Sequence, residues 1–103
     1  VNNKSRTTKI LLSDVLYAST TKTAHRLEIV TSDDVYFMYG NLKSFEKSDS
    51  KFIKCNRSHV INLRKVVAIE KVSRQVIFSS AVERKIYCSR NLYGDVRKIW
   101  LSV

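Results

Sequence analysis

The chain has 103 residues, 44% of them hydrophobic and 10% aromatic, which suits one compact domain with a single core and excludes a large multi-domain enzyme and a disordered polymer. Its 19 Lys and Arg face 9 Asp and Glu, a formal net charge of +10, and the excess is lopsided: residues 1–53 carry 8 basic and 6 acidic groups, residues 54–103 carry 11 and 3. Self-repulsion of that size in a small domain points to a polyanionic partner, nucleic acid ahead of an anionic membrane surface.

In chain order, residues 1–8 are polar and lack periodicity, and are read as a linker or tail; residues 9–103 are read as the folded domain. Short apolar segments follow at 10–12, 15–18, 27–31, 35–39, 52–55, 60–61, 66–69, 76–78 and 86–88, and their β-branched and aromatic content predicts strands. Ser32-Asp33-Asp34 and Ser73-Arg74 supply hairpin turns, so the chain reads as mainly antiparallel β. After Gly40, Asn41 caps a short helix whose Leu42 and Phe45 share a face. Near the end, Leu92, Val96, Ile99 and Trp100 repeat at helical period, and that helix is expected to start near residues 89–91 with its unpaired N–H groups turned toward an anion.

No apolar run approaches the roughly 20 residues that cross a bilayer, and no signal peptide is recognisable, so a cytoplasmic protein is expected. Cys55 and Cys88 form neither a disulfide framework nor a C-x-x-C pair, and with His25 and His59 they lack zinc-ligand spacing, so neither a metal nor another cofactor is expected. The two cysteines read first as inert buried thiols. A second reading gives them redox sensitivity, because each stands two residues before an Arg in a basic setting. No phosphate loop, nucleophile elbow or local triad is present, and Asp33-Asp34 is better explained as a turn than as paired carboxylates, so an enzyme is not expected.

What remains are three polar segments between core elements: residues 20–26, residues 54–59 and residues 89–91. Arg pairs with guanine in the major groove, Asn with adenine, and Ser, Thr and backbone N–H groups hold phosphates. Each residue also has an ordinary reading. His25 alternates with Leu27 and Ile29 as a partly buried strand histidine would, Arg57 and Arg90 suit ion pairs with Glu70 or Glu83, and Asn91 suits an N-cap.

At these same segments, Thr21-Lys22-x-x-His25-Arg26-Leu27, Tyr39-Gly40-Asn41-Leu42-Lys43, Phe52-x-Lys54-Cys55-x-x-Ser58-x-Val60-Ile61-Asn62 and Ser89-Arg90-Asn91, the chain resembles the LytTR DNA-binding domain. That domain is the output module of bacterial response regulators of the accessory gene regulator A type in quorum-sensing circuits. Four ordered blocks span nearly the whole sequence. The resemblance implies an elongated arrangement of small antiparallel sheets with one or two short helices, in which loops rather than a recognition helix enter successive grooves. It implies that His25 and Arg90 reach base edges, that the middle loop with Asn56, Arg57 and Ser58 approaches the intervening groove, and that Lys22, Arg26, Ser58, Ser89 and Asn91 hold backbone. Arg57 stands where a quorum-sensing regulator of this type has Asn, and an Arg there suits a narrow minor groove. The resemblance further implies transcriptional regulation through paired direct repeats in duplex DNA, a dimer on DNA from a monomer in solution, and an N-terminal receiver that this chain lacks. The rival reading is an RNA- or single-strand-binding β domain using Tyr17, Tyr36, Phe37, Tyr39 and Tyr87 as stacking platforms, although most of these alternate like core residues.

Overall fold

The computed structural model describes residues 7–79 and 85–103. Strand β1 (Val15–Thr20) is buried at five consecutive positions although neighbouring side chains on a strand point to opposite faces, so both of its faces are covered. It lies at the centre of a five-stranded antiparallel sheet with β2 (Arg26–Thr31), β3 (Val35–Tyr39), β4 (Phe52–Asn56) and β5 (His59–Asn62), in the order β3-β2-β1-β5-β4. A smaller antiparallel sheet follows, β6 (Val66–Ile69), β7 (Gln75–Phe78) and β8 (Ile86–Tyr87), in sequence order. Helix α1 (Leu42–Lys47) lies between β3 and β4, and α2 (Tyr93–Leu101) closes the chain.

The single core expected from composition divides into two clusters, one on each face of the central sheet. On one face Val15, Ala18, Leu27, Ile29 and Val60 pack against Leu42 and Phe45 of α1 and Phe52, whose ring stacks on Phe45 at 4.8 Å. On the other, Leu16, Tyr17, Val30, Cys55 and Ile61 meet Val76, Phe78 and Ile86 of the small sheet and Val96 of α2. A bulge in β1 between Val15 and Tyr17 makes this possible, because the extra residue lets Leu16 and Tyr17 both enter the second cluster. The molecule measures 43 × 26 × 23 Å, the elongated mainly β shape expected from the sequence.

Local chemistry explains the ends of these elements. Asn41 caps α1 as its sequence predicts, accepting a hydrogen bond from the Ser44 amide at 2.9 Å. The Thr31 hydroxyl closes the β2–β3 turn by accepting from the Asp33 and Asp34 amides, and the β6–β7 turn is broader than Ser73-Arg74, since β6 already ends at Ile69. Residues 10–12 are not a strand. Leu12–Asp14 forms a short 3-10 helix, and Leu11 and Leu12 are exposed because β1 already fills the central position with its own residues. The stripe on α2 holds for Leu92, Val96 and Trp100, whose indole N–H donates to the Val66 carbonyl at 3.1 Å, but Ile99 lies at its margin and is exposed. The proposed tail at residues 1–8 falls largely outside the described residues, as does Glu83.

One buried and one half-buried polar group generate predictions. The fully buried Asn62 donates to the Val15 carbonyl at 2.8 Å and accepts from the Arg64 amide at 3.1 Å, fastening β5 to the start of β1. Asn62→Ala strands both partners and is expected to cost about 2–3 kcal/mol, read as a lower urea midpoint at constant slope. Burial holds the His59 imidazole below its ordinary 6.5, against a weaker upward pull from Glu28. The unfolded chain therefore takes up that proton first as pH falls: His59 favours the fold fully above 6.5 and loses this contribution down to the depressed native value. The urea midpoint should drop on acidification from about pH 7 to about 5, and His59→Gln should flatten that part of the profile.

Candidate nucleic-acid interface

The three polar segments, far apart in sequence, meet at one end of the sheets. The first joins β1 to β2, and the Thr20 amide at its root donates to the Ser58 carbonyl of the β4–β5 connection at 3.0 Å. The second and third are joined twice: the Ser89 amide donates to the Cys55 carbonyl at 2.8 Å, and the Asn56 side-chain amide donates to the Tyr87 carbonyl at 2.7 Å. Backbone pairing drives this assembly, since Ser19 of β1 is in register with His59 of β5.

Within the first segment, the Thr21 hydroxyl donates to the Arg26 carbonyl at 2.9 Å and accepts from the Thr23 amide, which folds the loop upon itself. His25 is not a strand histidine. It precedes β2, is exposed, and has a φ of 60°, a left-handed conformation that the Gly40 amide holds by donating to the His25 carbonyl at 2.7 Å. Gly40 itself has a φ of 151°, which requires glycine. Lys22 is exposed on the same loop, whereas the Arg26 guanidinium lies over the Phe37 ring at 4.3 Å.

In the second segment Arg57 is exposed at the tip, and Ser58 donates its amide to Asn56 Oδ1 at 2.8 Å. Asn56 differs from the other expected contacts, since its Oδ1 also faces His59 Nδ1 at 3.0 Å and its Nδ2 is bound to Tyr87. In the third segment Arg90 and Asn91 are exposed, and α2 begins later than expected, at Tyr93. Asn91 is not the N-cap: its Oδ1 accepts from the Ser89 hydroxyl at 2.9 Å, and the Leu92 and Tyr93 amides turn back to the Ser89 carbonyl. Among the described residues, Lys22, His25, Arg57 and Arg90 make no side-chain hydrogen bond or ion pair, and the ion pair present joins Arg64 to Asp49.

Sequence reasoning missed Arg74. At a φ of 57° in the β6–β7 turn, it donates through Nε to the Cys88 carbonyl at 3.1 Å and accepts from the Cys88 amide through its own carbonyl, fixing the residue that precedes Ser89. Nothing in its local sequence signals a bond of 14 residues' separation. Cys55 and Cys88 are both buried, and their thiols interact: the contact with Cys88 and burial push the Cys55 thiol far up, which suppresses its thiolate. The aromatic residues also divide. Tyr17 is buried, but Phe37 and Tyr39 are exposed because the cluster on their side of the large sheet stops short of β3's outer positions, and Tyr87 is exposed because its β8 neighbour Ile86 takes the face turned to that cluster. No group of three potential metal ligands occurs among the described residues, and no helix there is long and apolar enough to cross a membrane.

The profile of the LytTr DNA-binding domain family matches residues 5–101. Accessory gene regulator protein A of Staphylococcus aureus strain N315 is 26% identical over 95 residues, covering 92% of this chain and 37% of that protein, and the Staphylococcus epidermidis counterpart is 25% identical over the same length. The chain thus spans little more than a third of these relatives. A solved LytTr DNA-binding domain of a putative methyl-accepting/DNA response regulator from Bacillus cereus superposes with a TM-score of 0.74 at 18% identity, covering 99% of this chain and 94% of that one. With the family profile spanning nearly every residue and the fold matching end to end, the chain belongs to the LytTR family of DNA-binding domains.

Proposed function

We propose that this domain is the output part of a longer bacterial response regulator and controls transcription by reading direct repeats in duplex DNA through its three joined segments. His25 and Arg90 read base edges in successive major grooves, and Arg57 occupies the minor groove between them. Lys22, Arg26, Ser58, Ser89 and Asn91 hold the sugar-phosphate backbone. The observation that carries this reading is the hydrogen-bonded junction of the three segments, from which the unpartnered Lys22, His25, Arg57 and Arg90 project. A 43 Å body also exceeds the roughly 34–36 Å of one helical turn, which suits contact with two successive major grooves. The likeness to accessory gene regulator A extends the proposal to a cytoplasmic quorum-sensing circuit with an N-terminal receiver, in which the isolated domain is monomeric and pairs on adjacent repeats.

Site selection from random duplexes, followed by gel shifts on the recovered repeat, tests the assignment. Arg90→Ala is expected to lose about 1–3 kcal/mol on the operator and to relax preference at one base pair. Lys22→Ala should weaken all sequences alike and reduce the salt slope by about 1. An unchanged ratio of operator to scrambled binding in Arg90→Ala refutes base reading by that residue. The exposed Phe37, Tyr39 and Tyr87 favour the stacking alternative, so single-stranded RNA is the competitor to include, and it should displace the duplex poorly.

A further inference from the structure

We infer that Asn56 is a positioning residue that fixes the spacing between the Arg57 loop and the Arg90 segment, so that the domain reads its two sets of base pairs in one phase; this rests on the DNA-reading assignment above. Asn56 sits where β4 bulges, with its register shifted between Lys54 and Asn56, so its side chain leaves the regular pleat and reaches the third segment. Both ends of the carboxamide are committed. Oδ1 accepts from the Ser58 amide at 2.8 Å and faces His59 Nδ1 at 3.0 Å, while Nδ2 donates to the Tyr87 carbonyl at 2.7 Å and approaches Cys55 Sγ at 3.7 Å.

The chemistry of the partners allows only this orientation. The Ser58 amide can only donate and the Tyr87 carbonyl can only accept, so one end must be an acceptor and the other a donor. A side chain so occupied has little left to offer a base. It does have leverage, because the same residue shapes the turn that presents Arg57 and anchors the strand end three residues before Arg90. The Cys55 carbonyl to Ser89 amide bond and the Cys55–Cys88 thiol contact join the same segments close together at one point, and the Asn56 bond to Tyr87 adds the second point that turns a hinge into a clamp. The clamp extends to the first segment, since Ser58, whose amide closes the turn on Asn56 Oδ1, also accepts the Thr20 amide through its carbonyl.

Two variants separate the clamp from the turn. Asn56→Ser keeps an oxygen that can accept the amide two residues on, as serine does in turns, but cannot reach Tyr87. Asn56→Asp keeps the shape and sets an oxygen against the Tyr87 carbonyl. Each is measured on the selected operator, on the operator with one base pair inserted between the positions read by Arg57 and Arg90, and on random duplex. The insertion displaces the two readers by about 3.4 Å, so wild type should lose about tenfold or more in affinity. Asn56→Ser should bind the operator less tightly and distinguish it from the inserted site by less than about threefold, while retaining salt-dependent binding to random duplex and a cooperative melt.

If Asn56→Ser folds and penalises the insertion as wild type does, the positioning role is overturned. Preference lost only at the Arg57 position, with Arg90 specificity intact, also overturns it, because a single contact rather than a spacing has then been removed. Should Asn56→Asp not fold, Asn56→Ser decides alone, and amide spectra of it should show shifts in both segments. Wild-type protein that cannot tell operator from random duplex refutes the DNA-reading assignment, and this inference falls with it.

Discussion

Pairing of β1 with β5 is the constraint on which the molecule depends. The paired residues lie 40 to 44 positions apart in sequence, and their union, Tyr17 with Ile61, Ala18 with Val60 and Ser19 with His59, brings the β1–β2 connection beside the β4–β5 connection. Closing so long a loop carries an entropic cost, and it is offset by burial on both faces of the paired strands. Asn62 then locks the register, since its bond to the Val15 carbonyl is lost if β5 slips by one residue. The first two polar segments converge because these strands are paired, whereas the third, which follows β8 of the smaller sheet, is brought to them by the bonds from Ser89 to Cys55 and from Asn56 to Tyr87.

Much of this was legible in the sequence, and what was not has a physical reason. Alternation and β-branched content located the strands, and Asn41 was readable as a cap because capping is a local bond over three residues. Residues 10–12 look like a strand, but they pair with no strand of the sheet, and strand propensity without a partner yields an extended lead into a 3-10 turn. Asn91 looked like a cap for the same local reason that Asn41 did, yet Ser89 captures its side chain first. The joining bonds of Asn56 and Arg74 span 31 and 14 residues, and separations of that kind leave no trace in any window of sequence. The four blocks that carry the family resemblance succeeded where such windows fail, because they record the outcome of the fold rather than its local causes.

Backbone conformation adds a second layer of preparation. His25 and Arg74 are the non-glycine residues described with positive φ; His25 lies within the first polar segment, and Arg74, in the β6–β7 turn, is bonded to Cys88 just before the third. A left-handed non-glycine residue costs roughly 1–2 kcal/mol, so each must be held by its surroundings. The Gly40 amide holds His25, and the paired backbone and side-chain bonds to Cys88 hold Arg74. Segments already fixed in this way lose less conformational entropy on meeting a ligand, which favours tight and selective association over loops that must order on contact.

The positive charge is divided in the same spirit. Arg64 is bound to Asp49 and Arg74 is turned onto the Cys88 carbonyl, so these two cations are already engaged within the fold, whereas Arg26, stacked over the Phe37 ring, keeps its guanidinium N–H groups uncommitted among the described residues. Lys22, Arg57 and Arg90 project from the joined segments without such partners among the described residues. A cation already satisfied inside the protein must break that contact to meet a phosphate, whereas an unpartnered one exchanges only water and counterions. Net charge of +10 therefore overstates the attraction available at close range. It supplies a long-range field that attracts DNA, and under the proposed assignment the few cations left without partners at the segment tips set where along the duplex the protein comes to rest.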